Sequence, residues 1–385
     1  MMAKRLKVMT FLGTRPEIIR LAKVIQLLDN KVDHKLVHTG QNYDYELNQI
    51  FFKDLGLKKP DYFLEVNTSS LGIVLGEILI KSEKVLLQEK PDAVLILGDT
   101  NSSIACIIAK RLRIPIFHME AGNRCFDANV PEEINRKVID HLADFNLVYT
   151  EHARRHLLSE GLPHRRIYLT GSPLCEVLNE YLPRIKRSSI MRQLKLKKGA
   201  FFLMSAHREE NVDNQQNLKR ILSAMNALVE KYGYPMVVTT HPRTRKRLEA
   251  LKGFKIDSRI SFLKPFGFFD YVRLQMDAAC TLSDSGTISE ESSILRFPAV
   301  TIRNAIERPE AMDTGSIIMT GHDMDTIVNA VSLALDETTE RKFTSLPTDY
   351  AIRDTSWRVL KLILGLSKLS NRWANIAPET EITYK

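Results

Sequence analysis

The sequence has few cysteines and no long apolar run. Cys106, Cys125, Cys175 and Cys280 are scattered through 385 residues with no C-x-x-C pair. That spacing excludes a disulfide framework, and a reduced, cytoplasmic protein is expected. No segment approaches the ~20 consecutive apolar residues of a membrane-crossing helix, so no membrane partner is expected. The basic start MMAKRLKVMTFLG resembles a secretion signal, but its apolar run is short and Arg15, Glu17 and Arg20 follow at once. It reads as a first β-strand. Neither G-x-G-x-x-G nor G-x-x-x-x-G-K-[ST] occurs, which argues against a dinucleotide fingerprint and a P-loop; no nicotinamide cofactor is expected. The absence of H-E-x-x-H and of any carboxylate–histidine set at ligand spacing argues against a metal. Ser285 lacks a G-x-S-x-G elbow, which argues against a serine hydrolase. The net charge of +9 comes without a long Lys/Arg block or a nucleic-acid motif. It suits a basic surface on an enzyme for polyanionic small molecules rather than a nucleic-acid binder.

Apolar residues make up 44% of the chain, enough for two sizeable cores. Residues 6–12, 34–40, 93–99, 114–122, 145–151 and 166–172 read as strands, with helices at 16–30, 71–90 and 101–113. The pattern then restarts. Residues 200–210 read as a strand then a loop, and 235–242, 259–265, 279–286 and 297–304 as strands. Helices are expected at 217–233, closed by Gly233, and at 287–296 and 323–337. Val/Ile/Leu runs separated by helices indicate parallel sheets covered on both faces. The pattern therefore predicts α/β architecture with two doubly wound domains, residues 1–175 and 176–353. A final helix around 356–369 is expected, followed by a loose tail after Asn371.

Open α/β sheets bind ligands outside the carboxyl ends of their strands. After the first strand stands Gly13-Thr14-Arg15-Pro16-Glu17, with Arg20 one turn on. Gly13 suits a tight turn or a close backbone approach, and the two arginines and the helix start suit a diphosphate. Asp99 and Glu120 end two successive buried strands, and Glu132 follows shortly, near Arg136. Each has a plain alternative, as helix cap, ion-pair partner or first-turn acid. Together they suggest acid–base chemistry at one sheet edge. In the second half His207 and Arg208 follow a strand, and His241 follows another. Ser285, Gly286 and Thr287 open a helix as candidate phosphate donors. Glu291, one turn further, is placed to accept from ribose hydroxyls, and Arg308 follows the next strand.

The stretches GTRPEIIRL (13–21), GDT (98–100), MEAG (119–122), PEEINR (131–136), AHREEN (206–211), DSGTISEE (284–291) and ERPE (307–310) resemble, in order, the non-hydrolysing UDP-N-acetylglucosamine 2-epimerase family. The resemblance implies two Rossmann-like domains of the glycosyltransferase-B type, an active site in the interdomain cleft, a C-terminal helix (about 354–385) returning to the first domain, and a homodimer. It places acid–base carboxylates on Asp99, Glu120 and Glu132 and a conserved histidine on His207. It places uridine and diphosphate contacts on Arg15, Ser285, Gly286, Glu291 and Arg308. Two departures stand out. Arg20 replaces the family's usual lysine, and GQNYDYEL (40–47), which includes Gln41, replaces a segment that in bacterial members helps bind a second, activating UDP-sugar. The stretches 38–47, 119–136, 205–213 and 283–293 look closest to the UDP-N-acetyl-L-fucosamine synthase branch, which acts on UDP-2-acetamido-2,6-dideoxy-L-talose in capsule and O-antigen synthesis. Within the family the competing substrate is UDP-N-acetylglucosamine. A retaining glycosyltransferase is the rival of another class.

Overall fold

A computed structural model describes residues 5–40, 45–240, 242–251, 253–340 and 346–376. The chain divides into two compact units, Met1–Val177 with Ile352–Lys385, and Leu178–Ala351.

The first unit is built on a parallel sheet of β1 (Lys7–Leu12), β2 (Asp33–His38), β3 (Tyr62–Phe63), β4 (Ala93–Leu97), β5 (Ile116–Ala121), β6 (Phe145–Val148) and β7 (Ile167–Leu169). Their order is β3-β2-β1-β4-β5-β6-β7. All five residues of β4 are buried, as expected of a strand covered on both faces. The winding reverses between β1 and β4, so the loops after these strands flank the crevice where such sheets take ligands. The second unit has a parallel sheet of β8 (Phe202–Ser205), β9 (Met236–Thr239), β10 (Ile260–Leu263), β11 (Cys280–Ser283), β12 (Ala299–Thr301) and β13 (Ile318–Met319). The order β10-β9-β8-β11-β12-β13 puts its reversal between β8 and β11. The chain thus has the two doubly wound α/β domains expected from its pattern.

Local chemistry sets the helix ends. Pro16 lies in the first turn of the helix Arg15–Lys31, where its missing N–H costs nothing. Asn214 caps the helix Gln215–Tyr232 by accepting from the Gln216 and Asn217 amides at 2.9 and 3.2 Å. Gly233 ends that helix at φ +71°, the left-handed cap that glycine adopts without a Cβ penalty.

Three expectations need correction. The single helix expected at 101–113 is a 3₁₀ turn, Asn101–Ala105, followed by a short α-helix, Cys106–Arg111. The hydroxyls of Ser102 and Ser103 donate to Glu17 Oε1 (2.6 Å) and the Leu97 carbonyl (3.2 Å), which tightens the chain there. The edge strands β3 and β13 were not expected, because two residues carry no readable alternation. The last helix runs from Thr355 to Trp373, past the expected end at 369. It buries Val359, Leu360 and Ile363 and packs on the helix Arg15–Lys31. Trp373 closes it by meeting the Phe145 ring edge-on at 6.1 Å. Residues 377–385 of the expected tail lie outside the described residues.

Among the described residues no helix is long and apolar enough to cross a membrane. All four cysteines are buried, and burial pushes the Cys106 and Cys280 thiols up to about 12.

Candidate active site

At the β1/β4 reversal Glu17 ties the two loops together. It is buried, and its Oε2 accepts from the Gly13 and Thr14 amides at 3.0 and 2.7 Å. Its Oε1 accepts from the Thr100 and Ser102 hydroxyls at 3.0 and 2.6 Å. Burial pushes this carboxyl up, while the hydrogen bonds pull it back toward the anion. Gly13 does not occupy the left-handed region, and its N–H is taken by Glu17. Its amide thus serves the tie between the two loops. Arg15, half-buried, opens the following helix.

Asp99 stands directly after Gly98, which takes φ +70° at the end of β4. Arg136 closes on it from the helix Pro131–Leu142, with Nε and Nη2 at 2.9 and 2.6 Å from Oδ2. A third nitrogen of Arg136 reaches Glu133 Oε2 at 3.0 Å, and Asn135 donates to the Asp99 carbonyl at 2.9 Å.

Glu120 sits where the β5–β6 register shifts between Met119 and Ala121, at φ +66°. A left-handed conformation costs an ordinary residue on the order of 1–2 kcal/mol and persists only where its surroundings impose it. The carboxylate is ion-paired with Arg20 and accepts from Asn123 at 3.3 Å. Arg20, read in the sequence as a diphosphate contact, is the residue that meets this carboxylate. Glu132 is exposed in the first turn of Pro131–Leu142 and makes no hydrogen bond or ion pair among the described residues. Asp99 and Glu120 therefore sit at neighbouring strand ends, each faced by a guanidinium, while no contact draws Glu132 to them.

In the second unit the buried Asp284 organises the β8/β11 reversal. Its Oδ2 accepts from the His207 and Arg208 amides, both at 2.9 Å, and from Asn211 Nδ2 at 2.8 Å. Its Oδ1 lies 3.1 Å from Nδ1 of His207, whose side chain is 48% exposed and open to a ligand. Arg208 donates to the Asp284 carbonyl at 3.1 Å and reaches Glu307 at 3.5 Å. The turn Ser285-Gly286-Thr287 precedes the helix Ile288–Leu295, with the two hydroxyls 3.0 Å apart. Arg308 is held by Glu290 (3.1 Å) and the Gly286 carbonyl (2.5 Å). A Cβ at position 286 would stand 2.8 Å from its guanidinium. Glu291 is buried, and Gln275 Nε2 holds its Oε2 at 2.6 Å. Gln41 and His241 lie outside the described residues. Among the described residues no group of three or more His, Cys, Asp and Glu side chains is placed to hold a metal ion.

Next to the first site, His38 ends β2. It is fully buried, stacks on Phe63 at 4.8 Å, and accepts the Gly40 amide on Nδ1 at 3.0 Å. Burial pushes its pKa down to about 4 from 6.5. Between those values the unfolded chain binds a proton that the folded chain refuses. The stabilisation is therefore complete above pH 6.5 and is lost as pH falls through that window, by up to about 3 kcal/mol. Denaturant unfolding at pH 7.5 and 4.5 checks this. His38→Phe should flatten the pH slope, and an unchanged slope would rule His38 out as its source.

A profile of the family described as UDP-N-acetylglucosamine 2-epimerase matches residues 26–364. A solved structure of UDP-N-acetylglucosamine 2-epimerase from Rickettsia bellii is 49% identical, with a TM-score of 0.92, covering 97% of this chain and 100% of that one. The Methanocaldococcus jannaschii UDP-GlcNAc 2-epimerase, solved in complex with UDP-GlcNAc and UDP, is 34% identical with a TM-score of 0.85, covering 93% of this chain and 99% of that one. A curated relative from Pseudomonas aeruginosa, UDP-2,3-diacetamido-2,3-dideoxy-D-glucuronate 2-epimerase, is 32% identical over 86% of this chain and 93% of its own length. Matches of this extent, on a fold whose strand ends carry these acids and basic loops, make this chain a member of the UDP-N-acetylglucosamine 2-epimerase family, isomerases that act on UDP-sugars.

Proposed function

We propose that the chain inverts C2 of a UDP-linked 2-acetamido sugar by eliminating and re-adding UDP. The observation that carries this reading is Glu120, an acid held in a left-handed conformation against Arg20, beside Asp99 at the next strand end.

The C2–H bond of a sugar is not acidic, because no carbonyl adjoins it. C1, however, carries a leaving group. The C1–O bond to the diphosphate breaks and its electron pair leaves with UDP. A carboxylate takes the C2 proton, and the C–H pair becomes the C1=C2 bond of a 2-acetamidoglycal. A carboxylic acid then returns a proton to the opposite face of C2 while a UDP oxygen re-forms the bond to C1. Atoms and electrons balance without an external oxidant. Asp99, Glu120 and Glu132 supply the base, the acid and their partner. Arg15, Arg308, His207, Arg208 and the Ser285-Gly286-Thr287 turn hold the diphosphate and stabilise its developing charge. Glu291, oriented by Gln275, receives the ribose hydroxyls. Arg20, which pairs with Glu120, joins Arg15 and Arg308 at the diphosphate, and Arg136 contributes to substrate binding while it orients Asp99.

For the sugar, we propose UDP-2-acetamido-2,6-dideoxy-L-talose, giving UDP-N-acetyl-L-fucosamine for capsule or O-antigen synthesis. The stretches 38–47, 119–136, 205–213 and 283–293 support that branch. The names of the Rickettsia and Methanocaldococcus proteins favour UDP-N-acetylglucosamine as the second reading. The two substrates differ in ring configuration and at C6, where a methyl replaces a hydroxyl; the C6 group alone is worth only ~1–3 kcal/mol of discrimination.

Incubation in deuterium oxide with each substrate in turn, followed at C2 by proton NMR, tests both levels. Deuterium entering the talose substrate, with fucosamine product appearing, is the expected result. Exchange with UDP-N-acetylglucosamine alone would move the chain to the second reading. No exchange with either would remove the epimerase proposal for these sugars.

A further inference from the structure

We infer that Asp140, acting with His118 and Arg124, is the positioning residue that holds Glu120 in its working conformation. The inference rests on the acid–base role proposed for Glu120.

The left-handed backbone at Glu120 needs an external constraint, and the residues two places either side of it supply one. On the C-terminal side, the Gly122 amide donates to both oxygens of Asp140, at 3.2 and 3.1 Å. On the N-terminal side, His118 Nδ1 lies 2.9 Å from Asp140 Oδ1 without making a hydrogen bond. The carboxylate therefore bonds the bulge at Gly122 and packs against its other end at His118. Asp140 lies in the helix Pro131–Leu142, on the buried face it shares with Glu133, Arg136 and Ile139. Asp140 and His118 are both 0% exposed.

Two further links carry the constraint. The far side of His118, Nε2, lies 3.0 Å from the carbonyl of Gly98, the residue before Asp99. The Gly98 amide returns a bond to the Met119 carbonyl at 2.9 Å, so the ends of β4 and β5 are locked together. Asp140 is itself fixed by the buried Arg124, whose Nη1 donates to Oδ2 at 2.7 Å. Arg124 is anchored in turn by a two-pronged pair with Glu160, both bonds at 2.7 Å. The bulge also cannot relax sideways. Gly122 takes φ +80°, and a Cβ there would stand 2.4 Å from the Ala153 carbonyl oxygen. None of these groups reaches Glu120 Oε atoms. Their effect on chemistry passes through the backbone that aims that side chain.

A residue that acts only by aiming Glu120 loses its importance once Glu120 can no longer act. That makes a double-mutant cycle the test. Asp140→Asn alone is expected to lower kcat about 10²-fold, as a displacement near 1 Å does, with KM and UDP affinity changed little. Glu120→Gln alone should lower kcat further still. The double variant should be no slower than Glu120→Gln. If the two losses multiply, Asp140 acts on something other than Glu120 and the inference is overturned. If Glu120→Gln alone stays within a few-fold of wild type, the role of Glu120 fails, and this inference with it. Should Asp140→Asn not fold, His118→Gln goes through the same cycle and decides by the same comparison.

Discussion

Replacing Glu120 by Gln should lower turnover by about 10²–10⁴-fold, the range in which a positioned proton-transfer group contributes. The amide matches the carboxylate in shape and can still meet Asn123, so the protein should fold and bind UDP as before. What is lost is the ability to take or return the C2 proton, together with the charge that Arg20 faces. Deuterium wash-in at C2 should fall in step with net turnover, because both need the same transfer. Asp99→Asn and Glu132→Gln are expected in the same range. The three carboxylates start from different surroundings, since Asp99 is clasped by Arg136 while Glu132 stands in solvent. If all three amide variants kept turnover within a few-fold of wild type, the acid–base assignment would have to be abandoned.

The second large effect is expected at Asp284. Its Oδ2 satisfies the His207 and Arg208 amides and the buried Asn211 amide group. Asp284→Ala leaves three donors without an acceptor. Each buried one costs about 1–3 kcal/mol, although water can reach the half-exposed His207 loop, so a total loss of about 3 kcal/mol is expected. UDP affinity should fall at least tenfold, because the loop carrying His207 and Arg208 loses its anchor. Asp284→Asn, which keeps one acceptor oxygen, should recover part of both. Denaturant unfolding and UDP titration check this pair. A stability within about 0.5 kcal/mol of wild type for Asp284→Ala would show that the loop holds itself.

Much of the fold was legible because both sheets are parallel and buried. A strand such as AVLIL (93–97) needs no partner to be recognised, and neither does the restart of the pattern at residue 200. The residues after each long strand were legible for the same reason. Their partners were not. Arg20 reads as a charge for phosphate in sequence, and its pairing with Glu120 arises only through tertiary approach. Glu17 and Asp284 read as one more acid each. Their importance depends on donors brought from other segments, such as the Ser102 hydroxyl and the His207 amide. Some signal was present. Thr14-x-x-Glu17 is the spacing of a capping box, and Asp284 follows a fully buried strand. Asp140 falls on the same helical face as Glu133, Arg136 and Ile139, and charge on a face that must meet a sheet is a mark of a satisfied network.

The helix Thr355–Trp373 bears on how the protein is made. It covers the helix Arg15–Lys31, and the Thr355 hydroxyl bonds the carbonyls of Thr170 and Ser172 at 3.1 and 3.2 Å. The unit whose strands leave the ribosome first is thus finished by residues made only after the other unit. The unit of residues Leu178–Ala351, by contrast, is contiguous and can close as soon as it has emerged. Until Thr355–Trp373 is released, the nascent first unit waits with the apolar flank of Arg15–Lys31 uncovered, and that interval is when a chaperone would be most needed.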